Sequence, residues 1–479
     1  MSSPDPVIPT LAAAAREIRS GRLSSVTLTR AVLDRIARFD RDTHAFITVT
    51  SELALEQAGE ADRAIHNGVP VGPLHGVPVS LKDLVDTAGV PTTAASRVLA
   101  DRIPTRDATV ARRLAAAGAV LVGKTSLHEF AFGVTNVNPH YGPVRNPWDR
   151  LRMSGGSSGG SAASVALGMA LGSIGTDTGG SIRIPSALCG TVGLKPTYGR
   201  VSVAGVLPLS VSLDHVGPIT RTVEDAAIML EAIAGYDPDD PSAVDRPIDR
   251  YAGALDAGVR GRRLGVPRKP FFERLEPDVE FAVETALSML EDLGVVLVNV
   301  ELPDTEGHEA IFRNIATPEV YDFHETYLET KRELYGDDVA NRMAPGATMP
   351  AVDYVRAQRE RTALTRIVEQ VLGKVDLLVL PALPITAPRI EQSTIRWPDG
   401  DEPVLGALTR TTRLANLTGL PAISVPCGLS QAGLPVGLQL IGPRFGESAV
   451  LSAAYAYEQE AGWDLRPPDP EPPAPEHDA

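Results

Sequence analysis

Three short stretches of this sequence hold residue types that can do chemistry together. They are Met153-Ser-Gly-Gly-Ser157-Ser-Gly-Gly-Ser161, Gly175-Thr-Asp-Thr-Gly-Gly-Ser181-Ile-Arg183 and Gly76-Val-Pro-Val-Ser-Leu-Lys82-Asp83. A serine hydroxyl is a poor nucleophile until a neighbouring base removes its proton. Ser181 follows Thr178, Gly179 and Gly180, and the amides of Thr178 to Ser181 can converge because two of these residues lack Cβ. Such a turn can hold the negative charge that develops on an attacked carbonyl oxygen. A helix beginning just after Ser181 would favour an anion there as well. Lys82, if buried, would lose charge through desolvation and become available as a neutral base.

The same residues admit other readings. A glycine-rich stretch can cradle phosphate, but this one has neither the Gly-Lys-Ser/Thr ending of a P-loop nor a Gly-x-Gly-x-x-Gly opening a helix. Gly155-Gly-Ser157-Ser-Gly159 fits the Gly-x-Ser-x-Gly pattern of a nucleophile elbow formally, although no apolar strand leads directly into it. A surface loop with an incidental lysine is the bland alternative. The histidines, among them His75, His128, His140 and His215, form no metal-binding motif, so no metal is expected.

These stretches need a frame. Residues 9–20, 25–39 (capped by Ser24 or Ser25) and 52–66 read as helices, and 76–81 as a short strand leading into Lys82. A helix-then-strand step recurs at 108–117 and 119–122, 278–293 and 295–300, 353–373 and 376–380, and 406–417 and 422–425. The alternation predicts an α/β fold with the sheet covered by helices on both faces. Within it, residues 153–199 hold twelve glycines in 47 positions. Glycine gains nothing from helix or strand propensity, so close backbone approach or tight, side-chain-presenting turns must account for them.

Length alone, 479 residues, suggests two to four domains, yet no linker divides the chain and a single large domain over 1–465 is expected. The tail 466–479, rich in Pro and acid, reads as disordered. A net charge of −15 disfavours nucleic acid and anionic membranes as partners. No 18-residue apolar run suggests a membrane span, and Met1-Ser-Ser-Pro-Asp-Pro does not read as a signal peptide. Cys189 and Cys427 show no paired spacing and are expected to be buried thiols, so a cytoplasmic location is the default.

The stretch from Gly155 to about Arg200 resembles the amidase signature family, whose members use a Ser–cis-Ser–Lys triad. The resemblance extends to Lys124-Thr-Ser-Leu-His-Glu-Phe, Asn146-Pro-Trp-Asp, Gly193-Leu-Lys-Pro-Thr-Tyr-Gly-Arg and Ala415-Asn-Leu-Thr-Gly-Leu-Pro-Ala-Ile-Ser-Val-Pro, and so covers roughly residues 10–465. It implies one domain with a mixed central sheet. It also implies Ser181 as nucleophile, Lys82 as base and Ser157 as the bridging serine after a cis peptide, with no cofactor. Amides of Thr178, Gly179, Gly180 and Ser181 would hold the oxyanion. Asp177 and Arg183 would pair to fix the loop, and Ser158 and Ser161 would satisfy backbone groups. Ser154 departs from the proline many members carry before the Gly-Gly pair, which changes turn rigidity rather than chemistry.

The family includes free-standing hydrolases of amides, anilides, carbamates and related compounds, and A-type subunits of tRNA-dependent amidotransferases. The segments Tyr354-Val-Arg-Ala-Gln-Arg-Glu-Arg-Thr and Leu378-Val-Leu-Pro-Ala-Leu-Pro-Ile-Thr-Ala-Pro resemble the free-standing branch. The stretch before Ala415 lacks the amidotransferase pattern. The expected function is hydrolysis of a small-molecule amide, carbamate or ester through a seryl acyl-enzyme. A glutaminase subunit is the alternative, and an intact triad argues against a non-catalytic scaffold. Residues 305–400 are expected to shape substrate choice, with Phe130, Phe132, Ile182, Phe312 and Tyr321 as candidate pocket or core residues. A homodimer is left open.

Overall fold

The computed structural model describes residues 8–303, 305–463 and 466–468. The extreme N-terminus and residues 469–479 of the tail, both read above from sequence, lie outside the described residues. Eleven strands among the described residues form one sheet, in the spatial order Phe46–Val49, Val120–Thr125, Pro78–Lys82, Gly172–Asp177, His215–Thr220, Val192–Lys195, Ala422–Leu429, Pro435–Ile441, Leu377–Pro381, Arg263–Val266 and Val296–Asn299. Pro78–Lys82 and Arg263–Val266 run parallel to both of their neighbours, and the remaining pairs are antiparallel. The sheet is mixed, as expected.

Side chains alternate between the two faces of a strand. Every residue of Pro78–Lys82, Val120–Thr125, Gly172–Asp177 and Leu377–Pro381 is buried, so helices cover both faces here. The first helices follow from local chemistry. The Ser24 side chain caps Ser25–Thr43 by accepting from the Thr27 amide, and the helix ends where His44 turns left-handed at φ 58°.

The expected single helix over 406–417 is instead two, Val404–Thr409 and Arg413–Thr418. At the break, the Thr411 and Thr412 hydroxyls donate to the carbonyls of Ala382 (2.6 Å) and Gly179 (2.7 Å).

The glycine-rich segment is packed against backbone. A Cβ at Gly160 would lie 2.4 Å from the Ala45 carbonyl oxygen and 2.5 Å from that of Ser126, so only glycine admits the helix Gly159–Ala166 here. Gly180 has φ 132°, and a Cβ there would meet Thr412 Oγ1 at 2.3 Å.

Candidate active site

Two parallel strands bring the site together. Lys82 ends Pro78–Lys82, and the neighbouring strand Gly172–Asp177 pairs Ile174 with Leu81. Both strands therefore finish at the same edge of the sheet, where Lys82 meets Thr176. Lys82 Nζ lies 2.7 Å from Ser157 Oγ and 2.8 Å from Thr176 Oγ1. Lys82 and Ser157 are fully buried, and Ser157 follows a cis peptide from Gly156. Burial pushes the Lys82 ammonium down to about 7, against the opposing pull of the Asp214 and Asp177 charges. Asp83 turns away to Thr93 and, at 3.6 Å, to Lys124.

The chain turns at Thr178–Gly180 after its strand and enters the helix Arg183–Cys189. Asp177 and Arg183 brace the turn as a fully buried pair, 2.9 Å apart. Asp177 also accepts from the amides of Gly180 (2.8 Å) and Ile182 (3.2 Å) and from Asn416 Nδ2 (2.8 Å). Burial alone would raise the Asp177 carboxyl, but the Arg183 charge and hydrogen bonds overcome it and hold the group below the usual carboxylate range. Arg183 reaches on to Gln439 Oε1 (2.6 Å), Asn416 Oδ1 (2.6 Å) and the Thr412 carbonyl (2.8 Å). Removing one partner of such a network strands a buried charge. Arg183→Met is therefore expected to lower unfolding stability by about 3–5 kcal/mol, read from urea denaturation; an unchanged midpoint would show that the pair contributes nothing net.

One sequence expectation needs correction. The Gly180 amide is already engaged by Asp177 Oδ1, which removes it from the set aimed at an oxyanion. Thr178, Gly179 and Ser181 line a cavity of about 430 Å³, and Gly180 does not. That cavity is mainly apolar, with Phe132, Val134, Phe312, Ala316, Met349 and Leu405 among its walls. Arg342 stacks over Phe132 at 5.2 Å and Arg413 over Phe312 at 5.2 Å, stiffening both rings. Glu309, in the same wall, faces Arg413 at 3.5 Å.

Three further pocket candidates lie elsewhere. Phe130 packs edge-on against His324, with centroids 4.3 Å apart, and beside Tyr335. Ile182 is buried in a small apolar cluster with Ala162, Val165, Cys189 and Ile219. Tyr321 packs on the backbone of Gly346. Ser158 Oγ bonds the Thr176 carbonyl and amide, and Ser161 Oγ bonds Thr125 Oγ1 at 2.8 Å. Both cysteines are free thiols, Cys189 buried and Cys427 only half-buried. Among the described residues no group of three or more His, Cys, Asp or Glu is placed to hold a metal ion, and no helix is long and apolar enough to cross a membrane.

Sequence reasoning missed Thr176, Asp214 and Asn416. Asp214 Oδ1 accepts from Thr178 Oγ1 at 2.5 Å, and Oδ2 from the amides of Leu209 and Ser210, tying a distant loop to the turn before Ser181. No local pattern marks such a residue.

The amidase family model matches residues 27–451 of this chain. The chain belongs to the amidase signature family. Membership makes it a hydrolase of C–N bonds. It is 45% identical over 465 residues to an amidase of Pseudomonas putida, covering 96% of this chain and 97% of the relative. It is also 42% identical over 475 residues to the A-type subunit of the glutamyl-tRNA(Gln) amidotransferase of Geobacter sp. (strain M21), covering 94% and 96%. Among solved structures, an inhibitor-bound chain from a vestigial protein complex, studied for the evolutionary origins of an s-triazine catabolic enzyme, superposes with a TM-score of 0.91. The identity is 35%, over 95% of this chain and 99% of that one.

Proposed function

We propose that this chain is a free-standing amidase that cleaves a carboxylic amide, or a related anilide, carbamate or ester, through an acyl-enzyme on Ser181. The observation that carries the reading is the fully buried Lys82–Ser157 contact of 2.7 Å beside a mainly apolar cavity that includes Ser181 in its wall. Neutral Lys82 takes a proton from Ser157 as Ser157 takes one from Ser181, and Ser181 Oγ attacks the carbonyl carbon. Amides of Thr178, Gly179 and Ser181 hold the oxyanion. On collapse the C–N bond breaks, and Ser157, reprotonated by Lys82, protonates the departing nitrogen. Water then repeats the sequence on the ester.

Relatives of similar identity bear both names, so identity does not divide free-standing hydrolases from amidotransferase subunits. The cavity favours the hydrolase. Glutamine presents an ammonium and a carboxylate, whereas the exposed wall is mainly apolar; its carboxylate, Glu309, faces Arg413, and of its three arginines Arg342 and Arg413 stack on Phe132 and Phe312, with Arg313 beside them. The purified chain alone is expected to hydrolyse aryl- or alkyl-acyl amides, and Phe312→Ala to raise KM for the bulkier acyl groups by about tenfold. Inactivity alone, with glutaminase activity appearing only beside partner subunits and tRNA, would support the amidotransferase reading instead.

A further inference from the structure

A second cavity of about 740 Å³ shares Ala131 and Leu209 with the first. The two cavities differ in which part of the site they touch. The first is walled by Ser181 and the turn before it; the second is walled by Thr176, whose Oγ1 is 2.8 Å from Lys82 Nζ. The second cavity thus adjoins the relay that must protonate the departing nitrogen.

Its walls are acidic and, among the described residues, hold one unpartnered acceptor. His215 lines it and is almost fully buried. Its Nδ1 donates to the Leu213 carbonyl at 2.6 Å, with the Asp177 carbonyl at 3.1 Å, which leaves Nε2 on the opposite edge as a lone-pair acceptor. Among the described residues that buried Nε2 has no hydrogen-bond partner. Burial holds the ring neutral, well below its usual titration range. Three carboxylates, Asp214, Asp240 and Glu319, line the same space against one cation, Arg444. Each is fixed by donors: Asp214 by Thr178 and two amides as above, Asp240 by the Val203 and Ser242 amides, and Glu319 by Ser210, Ser212 and Tyr354.

Resting on the amidase reading above, we propose that this second cavity is the amine-side site, and that it selects leaving groups carrying a further protonated amine. The departing nitrogen keeps the C–N bonding pair and takes its proton from Ser157. The chain beyond it extends into the cavity, where a remote ammonium meets the His215 acceptor and the field of the carboxylates.

The test compares three amides of one carboxylic acid on the purified wild-type chain: the primary amide, the N-propyl amide and the N-(2-aminoethyl) amide. The kcat/KM for the aminoethyl amide is expected to exceed that for the near-isosteric propyl amide by about tenfold or more, the scale of one charge-assisted hydrogen bond. Free 1,2-diaminoethane should inhibit competitively, and propylamine more weakly. In His215→Phe and Val244→Trp the aminoethyl-to-propyl ratio should fall toward one; because it is taken within each variant, a general loss of activity cancels. A wild-type ratio near or below one, or a ratio unmoved in both folded variants, overturns the assignment. If the primary amide is cleaved and the ratio is flat, only the cavity assignment fails. If none of the three is cleaved, nor any aryl amide, the amidase reading itself fails and takes this one with it.

Discussion

Ser181→Ala is expected to lower hydrolysis by roughly a thousandfold or more while leaving the fold in place. The reason lies in what the hydroxyl does not do. Asp177, Arg183 and Asn416 hold the turn, and the side chain of Ser181 lines the cavity instead of joining that network. Deleting one oxygen at a cavity wall therefore removes the proposed attacking atom and strands no buried partner. Thermal unfolding of the variant should match that of the parent. A fluorophosphonate or carbamate probe sharpens the test, because Ser157 is fully buried against Lys82 while Ser181 borders open space. Labelling confined to Ser181 supports its role as nucleophile; labelling at Ser157 would reverse the two serines. A folded Ser181→Ala chain with near-normal turnover would sink the assignment.

Much of this arrangement was legible in the sequence because its signals are local. The Ser24 cap, the strand running into Lys82 and the glycines that let the 153–199 segment lie against neighbouring backbone all announce themselves within a few residues. What escaped notice is long-range. Arg183 reaches Gln439 and Asn416, each more than 200 positions away, and no spacing rule connects them. Gly180 was expected to offer its amide to the oxyanion because glycine permits the turn. The structure shows the same permissive backbone turning that amide to Asp177 Oδ1. Composition gives the freedom to bend but not the direction of the N–H. The pocket residues were divided for a similar reason: Phe132 and Phe312 line the cavity, while Phe130 and Ile182 face the interior. An apolar side chain satisfies either place equally well, and only tertiary packing decides.

The Lys82 prediction tests the least ordinary step. A lysine in water titrates near 10.4 and is charged at neutral pH, in which state it can position Ser157 but cannot take its proton. Burial pushes Lys82 down to about 7, so the neutral form dominates above that pH. Activity should therefore rise with pH through a limb centred near 7, since deprotonation creates the base. Asp214 and Asp177 pull the other way by favouring the ammonium. Asp177 is locked to Arg183, whereas Asp214, lifted by burial to about 6, carries charge over the limb itself. Asp214→Asn should shift the limb to lower pH. Lys82→Ala should lose the limb with most of the rate, and Lys82→Arg should do no better, because arginine stays protonated. Stability gives an independent reading. Between about 7 and the ordinary lysine value near 10.4, the unfolded chain binds a proton at this position that the folded chain does not. Folding stability due to this residue therefore falls as pH drops through that window and levels off below it, and Lys82→Met should flatten the slope. An active Lys82→Arg enzyme with its limb intact would show that the lysine acts as a fixed charge, and the proton would have to pass elsewhere.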